Sequence, residues 1–199
     1  MSDLTKALAA AGAALQTEAA ALNSFAQTFE ANLKPALEIV IECKGTVVIS
    51  GLGKSGLVGA KIAATLSSTG TPSFFLHAAD ALHGDSGSLN TADVLIVISN
   101  SGETAEVVAI AKMAKSWNNK VIAITKNSSS SLAKTADATI TLAFEREADP
   151  LNLAPTTSTT LTIAAGDALA SALMAYRGFT SEKFGKFHPA GTLGQVTNK

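Results

Sequence analysis

Apolar residues recur at spacings of three and four from about Asp3 to Lys34, through Leu4, Leu8, Ala11, Leu15, Ala19, Leu22, Phe29 and Leu33, and predict one long helix with an apolar face. Two placements fit that face: against the helix's own domain, or shared with another subunit, since the spacing is close to a heptad seam. Pro35 is expected to interrupt the helix, leaving a further short helical turn over Leu37-Glu38-Ile39-Val40-Ile41. From Thr46 the pattern changes. Short apolar runs at Val47-Val48-Ile49, Phe74-Phe75-Leu76, Val94 to Ile98, Val121 to Ile124 and Ala138 to Leu142 alternate with helical patterns at Leu57 to Leu66 and Val107 to Ala114. A last helix, rich in small residues, is predicted from about Ser158 to Tyr176, before a tail of mixed polarity with glycines.

Strands that are apolar on both faces need helices on both sides. The predicted fold is therefore α/β: a three-layer α/β/α sandwich around a five-stranded parallel sheet, doubly wound in the Rossmann manner. The 199 residues fit a single domain over 1–199, with 1–42 as an N-terminal helical arm and 178–199 as a C-terminal tail.

Composition narrows the function. With 15 basic and 16 acidic residues the formal charge is −1, which leaves no electrostatic footprint for nucleic acid or an anionic membrane. The single cysteine, Cys43, excludes an intramolecular disulfide, and no Cys/His spacing suggests structural zinc. The N-terminus lacks the basic start and cleavage region of a signal peptide, and no apolar run is long enough to span a bilayer. A cytoplasmic protein is expected.

Two turns carry candidate chemistry. Ile98-Ser99-Asn100-Ser101-Gly102-Glu103-Thr104 empties an apolar strand into hydroxyls just before a helix, where free N–H groups and the helix dipole favour an anion. Ile49-Ser50-Gly51-Leu52-Gly53-Lys54-Ser55-Gly56 does the same after an earlier strand and adds the Lys54 charge. Together they suggest a phosphorylated small molecule. The second turn satisfies GxGxxG, but the next strand ends Leu76-His77-Ala78, without the acidic residue that holds a ribose. A P-loop reading fails as well, because the first glycine of GxxxxGK[ST] falls on Val48.

Glu103, Glu106 and Glu147 are the nearest carboxylates. Glu103 reads as a dipole partner or cap of its own helix, whereas Glu106, one turn on, returns to the face of the cleft. Composition alone makes Glu147 part of a solvated charged loop. The three histidines, His77, His83 and His188, lie in loop contexts where an imidazole could meet a ligand, but their spacing makes no metal site.

With these residues in view, the chain resembles the sugar isomerase (SIS) domain family and, within it, the arabinose-5-phosphate isomerases. The resemblance runs from Lys44 to Gly194 through both turns, Ser68-Thr69-Gly70-Thr71-Pro72, His83-Gly84-Asp85, Leu153-Ala154-Pro155-Thr156 and His188-Pro189. It implies interconversion of D-ribulose 5-phosphate and D-arabinose 5-phosphate, which feeds Kdo for lipopolysaccharide or capsule, in a homotetramer whose neighbouring loops complete each site. It places the catalytic group on Lys54, Glu106, Glu147 and His188, overriding the charged-loop reading of Glu147. Gly53, Ser55, Gly70, Thr71, His77, His83, Ser99, Asn100, Ser101 and Thr104 form the substrate-binding set. No cofactor is implied, and zinc at the His77 position is inhibitory or incidental in the family.

Two departures stand out. Ala190 replaces a glycine common after His-Pro, and the chain stops at Lys199 where many relatives continue into paired CBS modules, so it is expected to be either a natural short form or an excised catalytic domain without them. The rival readings are a non-catalytic sugar-phosphate sensor, disfavoured because no basic helix-turn-helix precedes the domain, and an isomerase of another sugar phosphate.

Overall fold

The computed structural model describes residues 2–189. Helix α1 (Asp3–Glu42) leads into β1 (Val47–Gly51), α2 (Gly53–Ser68) and β2 (Ser73–His77). A short α3 (Ala78–Ala81) and a 3₁₀ turn (Asp85–Ser88) follow. Then come β3 (Val94–Ile98), α4 (Ala105–Ser116), β4 (Lys120–Thr125), α5 (Ser131–Thr135), β5 (Ala138–Thr141), α6 (Thr157–Arg177) and α7 (Ser181–Phe187). The five strands form one sheet in the order β2-β1-β3-β4-β5, parallel at every pairing.

Strand periodicity divides the core. Val47, Ile49, Ile96, Ile98, Ile122 and Ile140 face α1, α2 and α6, while Val48, Leu95, Val97, Val121 and Ala123 face α3, α4 and α5. Every residue of β1 and β3 is buried, as expected for strands covered on both faces, as is β4 after the exposed Lys120, and the edge strands β2 and β5 are partly exposed. Gly166 of α6 permits close approach to α2: an added Cβ would sit 2.5 Å from Ile62 Cγ1.

Pro35 does not interrupt α1, which is helical through it to Glu42. Pro35 and Ala31, whose carbonyl loses its i+4 donor, both face solvent, where water can satisfy that carbonyl. Leu33, Ala36 and Val40 are meanwhile buried in the core on the other side, so packing holds both halves of the helix in line. Earlier in α1, by contrast, Leu4, Leu8 and Leu15 are 65–70% exposed.

Asp137, just before β5, ties the far end of the sheet together. Its carboxylate accepts both 2.7 Å bonds from Lys115 Nζ and a 2.8 Å bond from the Val121 N–H. Burial pushes this carboxyl up, but Lys115, the Val121 N–H and the Lys120 charge outweigh it and hold it below its ordinary value. A lowered pKa stabilises the fold above the unfolded value and loses that contribution as pH falls through the folded one. Asp137→Asn is therefore expected to cost about 2 kcal/mol at pH 7, with the gap to the parent narrowing below pH ~4, in denaturant titrations across pH.

Candidate functional site

The strand order reverses between β1, which is followed by β2 on one side, and β3, which lies on the other. In a doubly wound sheet this switch point opens a crevice beyond the carboxyl ends of the strands. The two glycine-serine turns border it. Leu52, Ser55, Ile98, Ser99, Ser101 and Thr104 line a cleft of about 270 Å³ there, and a groove of about 400 Å³ with Lys54, Phe75 and His77 lies at the same α2 terminus.

The hydroxyls of the β3–α4 turn converge. Ser99 Oγ is 2.9 Å from Thr104 Oγ1 and 3.5 Å from Ser101 Oγ, and it accepts a 3.1 Å bond from the Gly102 N–H. Neither α4 nor α2 has a side-chain cap, although Thr104 and Leu52 occupy the N-cap positions. Elsewhere Ser2, Ser130 and Thr180 cap α1, α5 and α7 through their side chains. The two long helices at the switch point thus leave their amino ends open beside a set of hydroxyls, which is a neutral cradle suited to phosphate. A larger groove of about 450 Å³, between α1 and the segment after β5, has no helix amino end in its lining, so size does not select the site.

Gly102 shapes the turn. Its φ is +71°, and an added Cβ would lie 2.1 Å from Ser130 Oγ and 2.4 Å from Ser130 Cβ. Gly102→Ala is expected to raise the KM for a sugar phosphate about tenfold or more, because the backbone strain and the clash both displace the cradle; steady-state kinetics beside a melting curve check this. Glu103 does not cap its own helix. Its Oε1 accepts the Ser131 N–H at 2.9 Å, tying the turn to α5, and that bond holds its carboxyl below the ordinary value.

The remaining candidates distribute as follows. Gly53, with φ +57°, Lys54 and Ser55 open α2, and Lys54 is exposed. Glu106 is half-buried in the first turn of α4, and Asn100 is exposed in the cradle turn, its carbonyl accepting the Lys126 N–H. His77 ends β2 opposite Gly51, with Nδ1 3.3 Å from Asp80 Oδ2 but outside hydrogen-bonding geometry. His83 is exposed after α3. Among the described residues no three His, Cys, Asp or Glu side chains gather as metal ligands, and His77 has only Asp80 beside it.

Glu147 is turned inward, only 8% exposed, in contrast to a solvated charged loop. Its Oε2 accepts from the Thr156 N–H at 2.8 Å and the Ser158 N–H at 3.1 Å, so it occupies the amino end of α6. The surrounding loop escaped sequence reasoning. Asp149 accepts the N–H groups of Leu151, Leu153 and Ala154. Desolvation raises its carboxyl, but these bonds and Arg146 together hold it below the ordinary value. The Asp-Pro-Leu-Asn run was the available signal, since Asp and Asn favour such turns.

Gly70 and Thr71 require a correction. They precede β2, at the amino edge of the sheet, and the strands separate them from the cradle by roughly 17 Å. Thr71 Oγ1 there accepts a 2.6 Å bond from Arg177 at the end of α6, and Gly70 packs against the Phe179 ring. His188 also lies away from its own chain's cradle. The tail leaves α6 at this amino edge, Phe187 stacks on Phe179, and the imidazole rests on Phe184, with Nδ1 2.9 Å from the Phe184 carbonyl. Of the expected tail contribution over 178–199, the described part therefore does not reach the site of the same chain, and 190–199 lie outside the described residues.

Residues 40–172 match the model of the SIS domain. Arabinose 5-phosphate isomerase KpsF of Escherichia coli is 50% identical over 182 residues, covering 91% of this chain and 56% of the relative. Arabinose 5-phosphate isomerase KdsD of Pseudomonas aeruginosa is 52% identical over 160 residues, 80% of this chain and 49% of the relative. The chain thus spans about half the length of the curated relatives it matches. A solved Escherichia coli structure in complex with arabinose 5-phosphate superposes with a TM-score of 0.90 at 39% identity, covering 95% of this chain and all of the other. The α/β sandwich with its five-stranded parallel sheet is shared with that solved structure, and the chain belongs to the SIS domain family.

Proposed function

We propose that this protein is an aldose–ketose isomerase interconverting D-arabinose 5-phosphate and D-ribulose 5-phosphate, in the cytoplasm, on the route to Kdo. The observation that carries the reading is the cradle at the switch point, where Ser99, Ser101 and Thr104 meet two uncapped helix ends beside Lys54. The arabinose 5-phosphate isomerases at about 50% identity and the structural neighbour bound to arabinose 5-phosphate support the choice of sugar.

In this mechanism the phosphate sits on the cradle hydroxyls and the amino ends of α2 and α4. A carboxylate removes the proton from C2 of the open-chain aldose, the electron pair forms the C1–C2 double bond of an enediol, and O1 takes up a proton. Returning the carbon proton to C1, with loss of the O2 proton, gives the ketose, so no electrons leave the substrate. Glu106 and Glu147 are the two candidate carbon bases, Lys54 offsets the developing negative oxygen, and His188 moves oxygen protons or opens the sugar ring. No redox cofactor enters the balance.

The position of His188 supports a site completed between subunits, in the homotetramer proposed here, because the imidazole lies at the opposite edge of the sheet from its own cradle. Leu4, Leu8 and Leu15 supply apolar surface that this chain leaves open. Among the described residues no helix is long and apolar enough to cross a membrane. The reading is tested by offering the purified protein D-arabinose 5-phosphate, D-ribose 5-phosphate and a hexose 6-phosphate and measuring ketose formation. Turnover selective for the first is expected. Binding without turnover would identify a sensor, and selective turnover of another sugar would reassign the substrate.

A further inference from the structure

We propose that Asn152 and Thr156 are positioning residues that fix the Glu147 carboxylate for proton transfer, acting on the reaction through Glu147 without touching the sugar. The inference rests on the isomerase reading above. Three observations converge on it.

First, the backbone of Glu147 is held from across the loop. Its N–H donates to Asn152 Oδ1 at 2.7 Å, and the next N–H, of Ala148, donates to Thr156 Oγ1 at 2.8 Å. Asn152 reaches back because its own backbone is left-handed, with φ +57°, a conformation that asparagine tolerates better than most residues, and its N–H is tied to the Asp149 carbonyl at 3.0 Å. Second, one carboxylate oxygen is fully engaged. Oε2 accepts the Thr156 and Ser158 N–H groups, and Thr156 Oγ1 lies 3.3 Å from it, its single proton shared with the Ala154 carbonyl at 3.2 Å. Oε1 makes no hydrogen bond to a described residue. Third, the loop has a separate set of closing bonds, because Asp149 gathers Leu151, Leu153 and Ala154, and Arg146 bonds the carbonyls of Glu147 and Asp149.

The consequence is a carboxylate with a fixed plane, in which Oε2 is spent on the amino end of α6 and Oε1 is the atom left to take a proton. An ångström of misplacement at such a group is costly in rate even where substrate binding is untouched. Thr156 supplies both a backbone and a side-chain contact, so removing its hydroxyl loosens the carboxylate while the N–H groups remain.

The test compares Thr156→Val, Thr156→Ser and Asn152→Gly, the last keeping the backbone conformation but losing the acceptor. For D-arabinose 5-phosphate, Thr156→Val and Asn152→Gly are expected to lower kcat about 10- to 100-fold with KM within about threefold. Thr156→Ser is expected to restore kcat to within about threefold of the parent. In a Glu147→Gln background, Thr156→Val is expected to add little, because both changes disable the same group. Three-bond NMR couplings across χ1 of Glu147 supply a readout that needs no turnover: one rotamer in the parent, averaged rotamers in Thr156→Val. Full kcat in Thr156→Val, an additive loss with Glu147→Gln, or an unchanged Glu147 rotamer would each overturn the proposal. If the parent protein itself failed to turn over the sugar, the isomerase reading would fall, while the couplings would still decide whether these residues fix the carboxylate.

Discussion

Glu106→Gln is expected to lower kcat for D-arabinose 5-phosphate by about 10²–10⁴-fold, the range associated with losing a positioned general base. The substitution keeps the shape of the side chain and removes its charge and its capacity to accept a proton. Glu106 is half-buried in the first turn of α4, one turn beyond the hydroxyl cradle. KM is expected to stay within a few-fold of the parent, since the proposed phosphate cradle of Ser99, Ser101 and Thr104 is undisturbed. Steady-state kinetics with a circular-dichroism melt separate this from misfolding. A kcat near the parent's would leave the carbon proton to Glu147 alone.

A second large effect concerns His188. His188→Ala is expected to lower kcat about 10²-fold or more. If the imidazole serves a neighbouring subunit's cradle, mixing this variant with Glu106→Gln and allowing subunits to exchange restores activity. One subunit then contributes an intact Glu106 and its neighbour an intact His188. Random pairing of the two variants in equal amounts makes about a quarter of the sites whole. The expectation follows from geometry: α6 carries the chain from Glu147 to the amino edge of the sheet, and the Phe179–Phe187 stack keeps the tail there. Activity that never recovers on mixing would mean that the tail folds back onto its own site.

The sheet is legible in the sequence because its strands are apolar on both faces and separated by helices, a pattern with few alternative explanations. The cradle is legible for a similar reason: hydroxyls and glycine directly after β3 have no core role. What the sequence hides is mostly a matter of direction. Glu147 and its charged neighbours compose a solvated loop, and only the turn made by Asp149 and Asn152 brings the carboxylate round to α6. Glu103 has the position of a cap on its own helix, yet reaches α5, a five-residue helix too short to show a period. Pro35 signals a break that the burial of Leu33, Ala36 and Val40 overrides. Gly70 and Thr71 belong to a glycine-bearing turn like those of the site, but chain position alone does not say at which edge of the sheet the turn falls.

The most direct measurement incubates the protein with D-arabinose 5-phosphate in deuterated water and follows the sugar by NMR. The account predicts D-ribulose 5-phosphate together with deuterium at C2 of the recovered aldose, the signature of a carbon proton removed to an enediol and exchanged with solvent. A bound sugar that keeps its C2 proton and yields no ketose would contradict it.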